Sequence, residues 1–517
     1  MNNLVPHFII DRHARKESSG RFAAAAVFVD VSGFSALTDQ LMARGQHGAE
    51  VLAGVMGSIF EPLIDAVYGQ RGFVTGFAGD AFTAVFPHAD GANASPVFRA
   101  LAAAVAIQRE MQARPEQETA YGNFAVSAKV GVAGGDVIWG IVAAEDGQRA
   151  TYYFQGTAID GCAAAEGAAA PGDVVLDAVA FEAVRTVVTA EAVDGHYRLT
   201  AVAAPLPAPE PDRRPEMKAE RLLPFVPQAV VRAGRTGEFR QVVNVFISLP
   251  TVRTEAQLDI FMRTVFKLQE RYGGLLKQLD YGDKGAKLLL FWGAPVAHEN
   301  DVQRALHFIL DLQIQTAIPI NGGITYQVAH AGTIGSSLRG EYTCYGKGVN
   351  LAARFMTGAP RGEIWIDEQV ANRAGRHFEV EFEGEKQFKG FAEPQKVYVL
   401  FERTDVADAF FDGRLVGREA ELARLTRFVA PIYEGRSPGM FVIWGDPGAG
   451  KSRLAHEFLT HHLQQGTATQ VFLAQADEIL RQSLNPFRYW LRRHFGQSEG
   501  LAESRNKRSF NRKLDQL

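Results

Sequence analysis

The chain reads one order of elements twice. An apolar run, AAAAVFVD, ends in Asp30 and passes through Gly33 into an amphipathic helix, which predicts a buried strand, a tight turn and a helix. A second helix is expected over about Gly48 to Tyr68, then two apolar strands joined by a Gly79-Asp80 turn, and an Ala-rich helix over 94–113. The strand pair FAVSAKVGVAGGDVIWGIV follows, then TYYFQGTAIDGCAAAEG from Thr151, PGDVVLD and a helical piece ending near Val188. From Val242 the order recurs: the strand VVNVFISLP, a helix over Glu255 to Tyr272, the hairpin GGLLKQLDYGDKGAKLLLFWG, a helix over Asp301 to Gln315 and the strand pair NGGITYQVAHAGTIGS. EYTCYGKGVNLAARF (Glu341 to Phe355) then stands where the Thr151 stretch stood, and PRGEIWID matches PGDVVLD. Two copies of roughly 160–180 residues are an internal duplication of domain size, with helices and strands interleaved as in α+β or α/β units.

The remaining boundaries follow from composition. Residues 204–237, rich in Pro and charge at their start, are expected to link a first domain (1–203) to a second (238–403). From 411 to 517 a third module is expected, incomplete within this chain: LVGREAELARL opens a helix, and GMFVIWGDPGAGKSRLAHEF reads as strand, Gly-rich loop and helix. A net charge of −4 gives no general pull toward nucleic acid. The two cysteines, Cys162 and Cys344, form no metal-ligand or CxxC pattern, which predicts a reducing, cytoplasmic setting. The short apolar patch near the start is too brief for a signal peptide, and no membrane span is expected.

Chemistry is split between the copies. Asp30 closes a buried strand and Asp80 makes a hairpin turn; each alone reads as a cap or turn residue. Together in one unit they can hold Mg²⁺, which keeps some water and favours phosphate oxygens as its other ligands. Backbone N–H groups of Ser32, Gly33, Phe34 and Ser35 at the helix start make a phosphate cradle. In the second copy Ser248 stands at the Asp30 position, and Asp283 lies about two residues out of register with Asp80. The reverse holds for the other set. Asn350 and Arg354, at i and i+4 on one helix face, oppose Asp160 and Ala164; Thr343 opposes Tyr153, and Lys277 the Thr75/Gly76 region. Each copy keeps what the other lacks.

FVDVSGF, FAGDAF, AKVGVAGG, EYTCYGKGVNLAAR and FKGF together resemble the class III nucleotidyl cyclases over about residues 20–402. The tandem order with a following P-loop is similar to the soluble adenylyl cyclase branch. The resemblance implies two ferredoxin-like-type domains packed as an intramolecular pseudo-heterodimer with one active site between them. Asp30 and Asp80, with the Val31 carbonyl, would bind two Mg²⁺ or Mn²⁺ ions for in-line displacement at the α-phosphate of ATP, yielding cyclic AMP and pyrophosphate. Asn350 would orient the ribose, Arg354 would stabilise charge on the α-phosphate, and Lys129 and Lys389 match positions that grip the outer phosphates. Lys277 and Thr343 fit an adenine-reading pair, since Lys donates to a ring nitrogen and Thr accepts from the exocyclic amine; the alternatives are a guanylate cyclase and a nucleotide-sensing signalling ATPase without turnover. Bicarbonate-responsive relatives place Lys and Arg where this chain has Gly76 and Ala163, so no switch of that kind is expected.

GDPGAGKS matches GxxxxGK[ST] in full, with Gly445, Gly448, Gly450, Lys451 and Ser452 as the ATP-phosphate and Mg²⁺ set. The preceding VGRE resembles signalling ATPases of the AAA-like and STAND type. Regulatory partners are not legible.

Overall fold

Fourteen residues from Ser19 to Ser32, apolar through their centre, form a strand with a hydrogen-bonded neighbour on each side in the computed structural model. Residues 3–42, 45–88, 94–210, 217–233, 237–282, 285–403, 415–445, 449–464, 472, 474, 484–495 and 503–514 are described. The chain divides into two units, 1–402 and 403–517.

The first unit opens with helix α1 (His7–Ala14), then β1 (Ser19–Ser32), α2 (Phe34–Met42), α3 (Gly45–Gly69), the hairpin β2 (Phe73–Ala78) and β3 (Ala81–Pro87), and α4 (Pro96–Ala113). A small hairpin, β4 (Glu116–Thr119) and β5 (Gly122–Ala125), precedes β6 (Ser127–Ala143), β7 (Ala150–Gln155), α5 (Thr157–Gly167), β8 (Val174–Leu176), α6 (Ala178–Val184), β9 (Val188–Val193) and β10 (His196–Val202). After α7 (Gln228–Ala233) come β11 (Glu238–Leu249), α8 (Glu255–Tyr272), β12 (Leu275–Gly282), β13 (Gly285–Trp292), α9 (Asp301–Thr316), β14 (Asn321–Gly335) and β15 (Gly340–Tyr345). This half closes with α10 (Lys347–Gly358), β16 (Ile364–Ile366), α11 (Glu368–Ala374), β17 (Phe378–Lys386) and β18 (Gln395–Arg403).

The two sheets have one topology. The first runs β2-β3-β1-β6-β8-β10-β9 with β7 beside β6, and the second β12-β13-β11-β14-β16-β18-β17 with β15 beside β14. Local chemistry repeats as well: Asp177 and Asp367 accept from the third backbone N–H beyond them and so cap α6 and α11. Close approach repeats too. A Cβ at Gly131 would lie 2.1 Å from the Cys162 carbonyl, and one at Gly323 2.0 Å from that of Ala352, so α5 and α10 can lie on their sheets only over glycine.

The halves share a core. Ile334 of the second half is buried in the cluster built from Val27, Phe60, Phe82 and Val132 of the first. The segment expected as a linker is partly packed: Met217 and Leu222 are buried with Ile9, Ile10 and Trp139. Among the described residues, one helix is long and apolar enough to cross a membrane, α3, and its Phe60, Leu63, Ile64 and Val67 lie in that shared core.

The second unit contains α12 (Glu419–Val429), α13 (Lys451–Gln464), α14 (Asn485–His494) and α15 (Glu503–Leu514). The strand expected before the Gly-rich loop is not formed: 438–445 have no strand pairing, and Met440 and Trp444 are almost fully exposed. An apolar run becomes a strand only where neighbouring strands take its N–H and C=O groups, and none among the described residues does.

Candidate active site

β15 turns into α10 through Gly346, whose φ of +152° suits glycine, so the strand end and the helix start face one cavity. That cavity measures about 250 Å³ and is lined by Asp80 of the first half with Lys277, Thr343 and Asn350 of the second. Part of its wall is apolar, with Phe77 from one half and Phe246, Leu289 and Val349 from the other. Gln278 and Asp280, which the sequence reading passed over, also line it.

A bulge aims Lys277. The pairing of β12 with β13 skips from Leu276 to Gln278, and the pairing of β2 with β3 skips from Val74 to Gly76. Lys277 and Thr75 are therefore the matching extra residues, and an extra residue re-aims its side chain. The Lys277 side chain is only 3% exposed. Its ammonium donates to the Phe77 carbonyl at 3.3 Å and to the Glu341 carboxylate. Glu341, two residues before Thr343 on β15, escaped the sequence reading, although period-two alternation puts both on one strand face.

Asp30 lies near the end of β1, and Asp80 sits in the adjacent β2–β3 turn. Asp30 pairs with Ala81 across the strands, and the Val31 N–H donates to the Asp80 carbonyl at 3.2 Å. Burial and then the Asp30 charge push the Asp80 carboxyl up to about 6. Burial also raises Asp30, against the pull of Lys129. The Asp30 charge thus raises the proton affinity of Asp80 in a half-buried cleft, a pair of carboxylates of the kind that could hold a divalent cation. Among the described residues no three His, Cys, Asp or Glu converge. Mg²⁺ and Mn²⁺ keep water and phosphate oxygen among their ligands, so Asp30 and Asp80 are the residues that could hold one.

Other expected residues are placed as follows. Ser32 ends β1 and Gly33 has φ +108° with the Ala125 carbonyl 2.3 Å from any Cβ, so the turn requires glycine. Phe34 and Ser35 begin α2, their side chains lying outside the described structure, as does all of Asp283. Lys129 lies opposite Asp30, its ammonium 3.7 Å from Glu166. Arg354 is exposed one turn beyond Asn350 and does not line the cavity. Lys389 is exposed on the turn between β17 and β18 and does not line it either. In the second unit Lys451 donates to the Gly445 carbonyl at 2.8 Å, Gly450 has φ +85°, Ser452 follows on α13, and Gly448 lies outside the described residues.

At the position equivalent to Thr343, Tyr153 packs edge-on against Tyr281 with ring centroids 5.1 Å apart. Its phenol is raised by burial and by Glu255.

Comparison with known proteins gives two domain matches. Residues 298–402 match the adenylate and guanylate cyclase catalytic domain, and residues 414–513 the AAA ATPase domain. The chain thus carries a class III cyclase domain followed by an AAA ATPase domain. It is homologous to adenylate cyclase type 10: 22% identical to the human protein over 92% of this chain and 33% of that one. The mouse protein is also 22% identical, over 88% of this chain and 32% of its own length. The chain therefore spans about a third of these relatives. Among solved structures, a class III adenylyl cyclase-like ATP-binding protein from Pseudomonas aeruginosa is 11% identical over 72% of this chain and 94% of its own, with a TM-score of 0.47. The adenylyl cyclase CyaB of P. aeruginosa is 21% identical over 32% of this chain and 96% of its own, with a TM-score of 0.30.

Proposed function

We propose that the chain is an adenylate cyclase that converts ATP to 3′,5′-cyclic AMP and pyrophosphate at the interface of its two halves. The observation that carries this reading is a cavity lined by Asp80 of one half and Lys277, Thr343 and Asn350 of the other. Two Mg²⁺ or Mn²⁺ ions held by Asp30, Asp80 and the Val31 carbonyl would supply charge stabilisation at the 3′-oxygen and the phosphates.

The chain's own groups do the rest. Lys277 donates to a ring nitrogen of adenine and the Thr343 hydroxyl accepts from the amine, within partly apolar walls that strengthen both bonds. Asn350 holds the ribose so that its 3′-oxygen faces the α-phosphorus. The 3′-hydroxyl proton passes to solvent as the new oxygen–phosphorus bond forms and the bond to pyrophosphate breaks. Arg354 shares a face of α10 with Asn350 and reaches the α-phosphate, a contribution of several kcal/mol in comparable sites. Lys129, and Lys389 after movement of its turn, hold the outer phosphates. The module at 411–517 acts as a regulatory nucleotide-binding domain, with Lys451 and Ser452 on the phosphates.

The test is turnover of the purified chain with Mg-ATP and Mn-ATP, read as cyclic AMP beside an Asp30→Ala control. Product above the control supports the reading, and product equal to it refutes it.

A further inference from the structure

Arg339 sits in the turn between β14 and β15 and is fully buried. All five of its N–H donors are used. Nε donates to the Val74 carbonyl at 3.4 Å. Nη1 donates to the Leu4 carbonyl at 2.7 Å and to the Gly340 carbonyl. Nη2 donates to the Tyr152 hydroxyl at 3.1 Å and to Glu341 at 2.8 Å. The guanidinium carbon also lies 5.7 Å from the centre of the Phe77 ring. Val74, Phe77 and Tyr152 belong to the first half, Gly340 and Glu341 to the second, and Leu4 to the segment before α1.

That segment is itself anchored through Asn3. The Asn3 amide donates to the Ser337 carbonyl at 3.0 Å, and the Gly340 N–H donates to the Asn3 carbonyl at 3.1 Å. Beyond it, Phe8 of α1 packs against Phe22, Phe73 and Trp139 of the first half. The inner end of the network is Lys277, which shares Glu341 with Arg339 and donates to the Phe77 carbonyl. Phe77 lies three residues before Asp80 on the β2–β3 hairpin.

We infer that Arg339 is a positioning residue for nucleotide binding: clasped to residues 3–5, it shares Glu341 with Lys277 and thereby leaves the lysine free to turn to a base. The inference rests on the base-reading role proposed for Lys277. One carboxylate divided between two cations holds each less tightly than it would hold one, and in a desolvated site the difference is large. Without the guanidinium, Glu341 belongs wholly to Lys277, and the base must break a full buried ion pair. A lysine at 339 keeps the charge but offers three donors where five acceptors wait, so it is only a partial substitute.

The experiment measures equilibrium binding of an N-methylanthraniloyl-ATP probe, alongside KM and kcat for ATP. The chains are the parent, Arg339→Met, Arg339→Lys, a chain shortened to begin at Pro6, and the shortened chain with Arg339→Met. Arg339→Met is expected to weaken probe binding and raise KM by about tenfold, equivalent to ~1.4 kcal/mol, with kcat within about threefold. Arg339→Lys and the shortened chain should fall between, and the combined chain should be no weaker than Arg339→Met, because both changes open one network. Unchanged probe binding, a fall confined to kcat, or additive losses would overturn the inference. Should Arg339→Met fail to fold, the Lys and shortened chains carry the same test. A parent chain that binds the probe without making cyclic AMP removes the cyclase reading alone; weakened binding in the variants still supports the clasp.

Discussion

In the proposed site Lys277 is the residue on which base choice turns. A buried ammonium survives because Glu341 neutralises it, and its reach into the cavity comes from the bulge at Leu276–Gln278. Lys277→Glu places two carboxylates side by side and removes the donor to a ring nitrogen. The ratio of ATP to GTP turnover should fall by at least about tenfold, one bond's worth in a dry site; an unchanged ratio would contradict the assignment. A second buried titratable group answers to pH. His330 Nε2 donates to the Ala49 carbonyl at 3.3 Å, its ring lies against Tyr345, and burial pushes its pKa down to about 4. The unfolded ring binds a proton below its ordinary 6.5 while the folded ring refuses it. This contribution is therefore whole above pH 6.5 and lost as pH falls toward 4, a matter of about 3 kcal/mol. Denaturant melts across that window should be steeper in pH for the parent chain than for His330→Gln. Equal slopes would show that the ring is already charged.

At the scale of elements, the duplication was legible because each copy carries its own caps, turns and apolar periods, and the sheet orders match strand for strand. The opposition of Tyr153 to Thr343 and of Asp160 to Asn350 agrees with the equivalent Gly156 and Gly346 turns into α5 and α10. What pairs at long range was not legible. Glu341 meets Lys277 across 64 positions and Arg339 meets Val74 across 265, distances over which no local period speaks. Nor could the run before the Gly-rich loop, unpaired among the described residues, announce whether partner strands stand beside it. The glycine seats give a prediction at this scale. Gly323→Ala and Gly131→Ala should each cost roughly 1–3 kcal/mol in stability by overpacking, measured by urea unfolding. At a temperature where both remain folded, Gly323→Ala should lose far more turnover, because α10 carries Asn350 and Arg354. Equal losses of turnover would argue that the helix position does not matter to the site.

For the whole molecule, one cleft gathers groups from both halves, whereas the equivalent place on the other side holds Tyr153 against Tyr281. In the proposed site neither half alone has a complete set: the first has Asp30 and Asp80 but no Lys277 or Thr343, the second has Lys277 and Thr343 but Ser248 in place of Asp30. Sharing a core through Ile334, the halves hold these sets in a fixed relation. The direct measurement is cyclic AMP formation from Mn-ATP by three chains: the parent, Asp80→Asn and Asn350→Ala. The split site predicts turnover by the parent and a loss of at least about a hundredfold in each variant, with ATP-probe binding retained by Asp80→Asn. Full turnover after either change would contradict a site built from both halves.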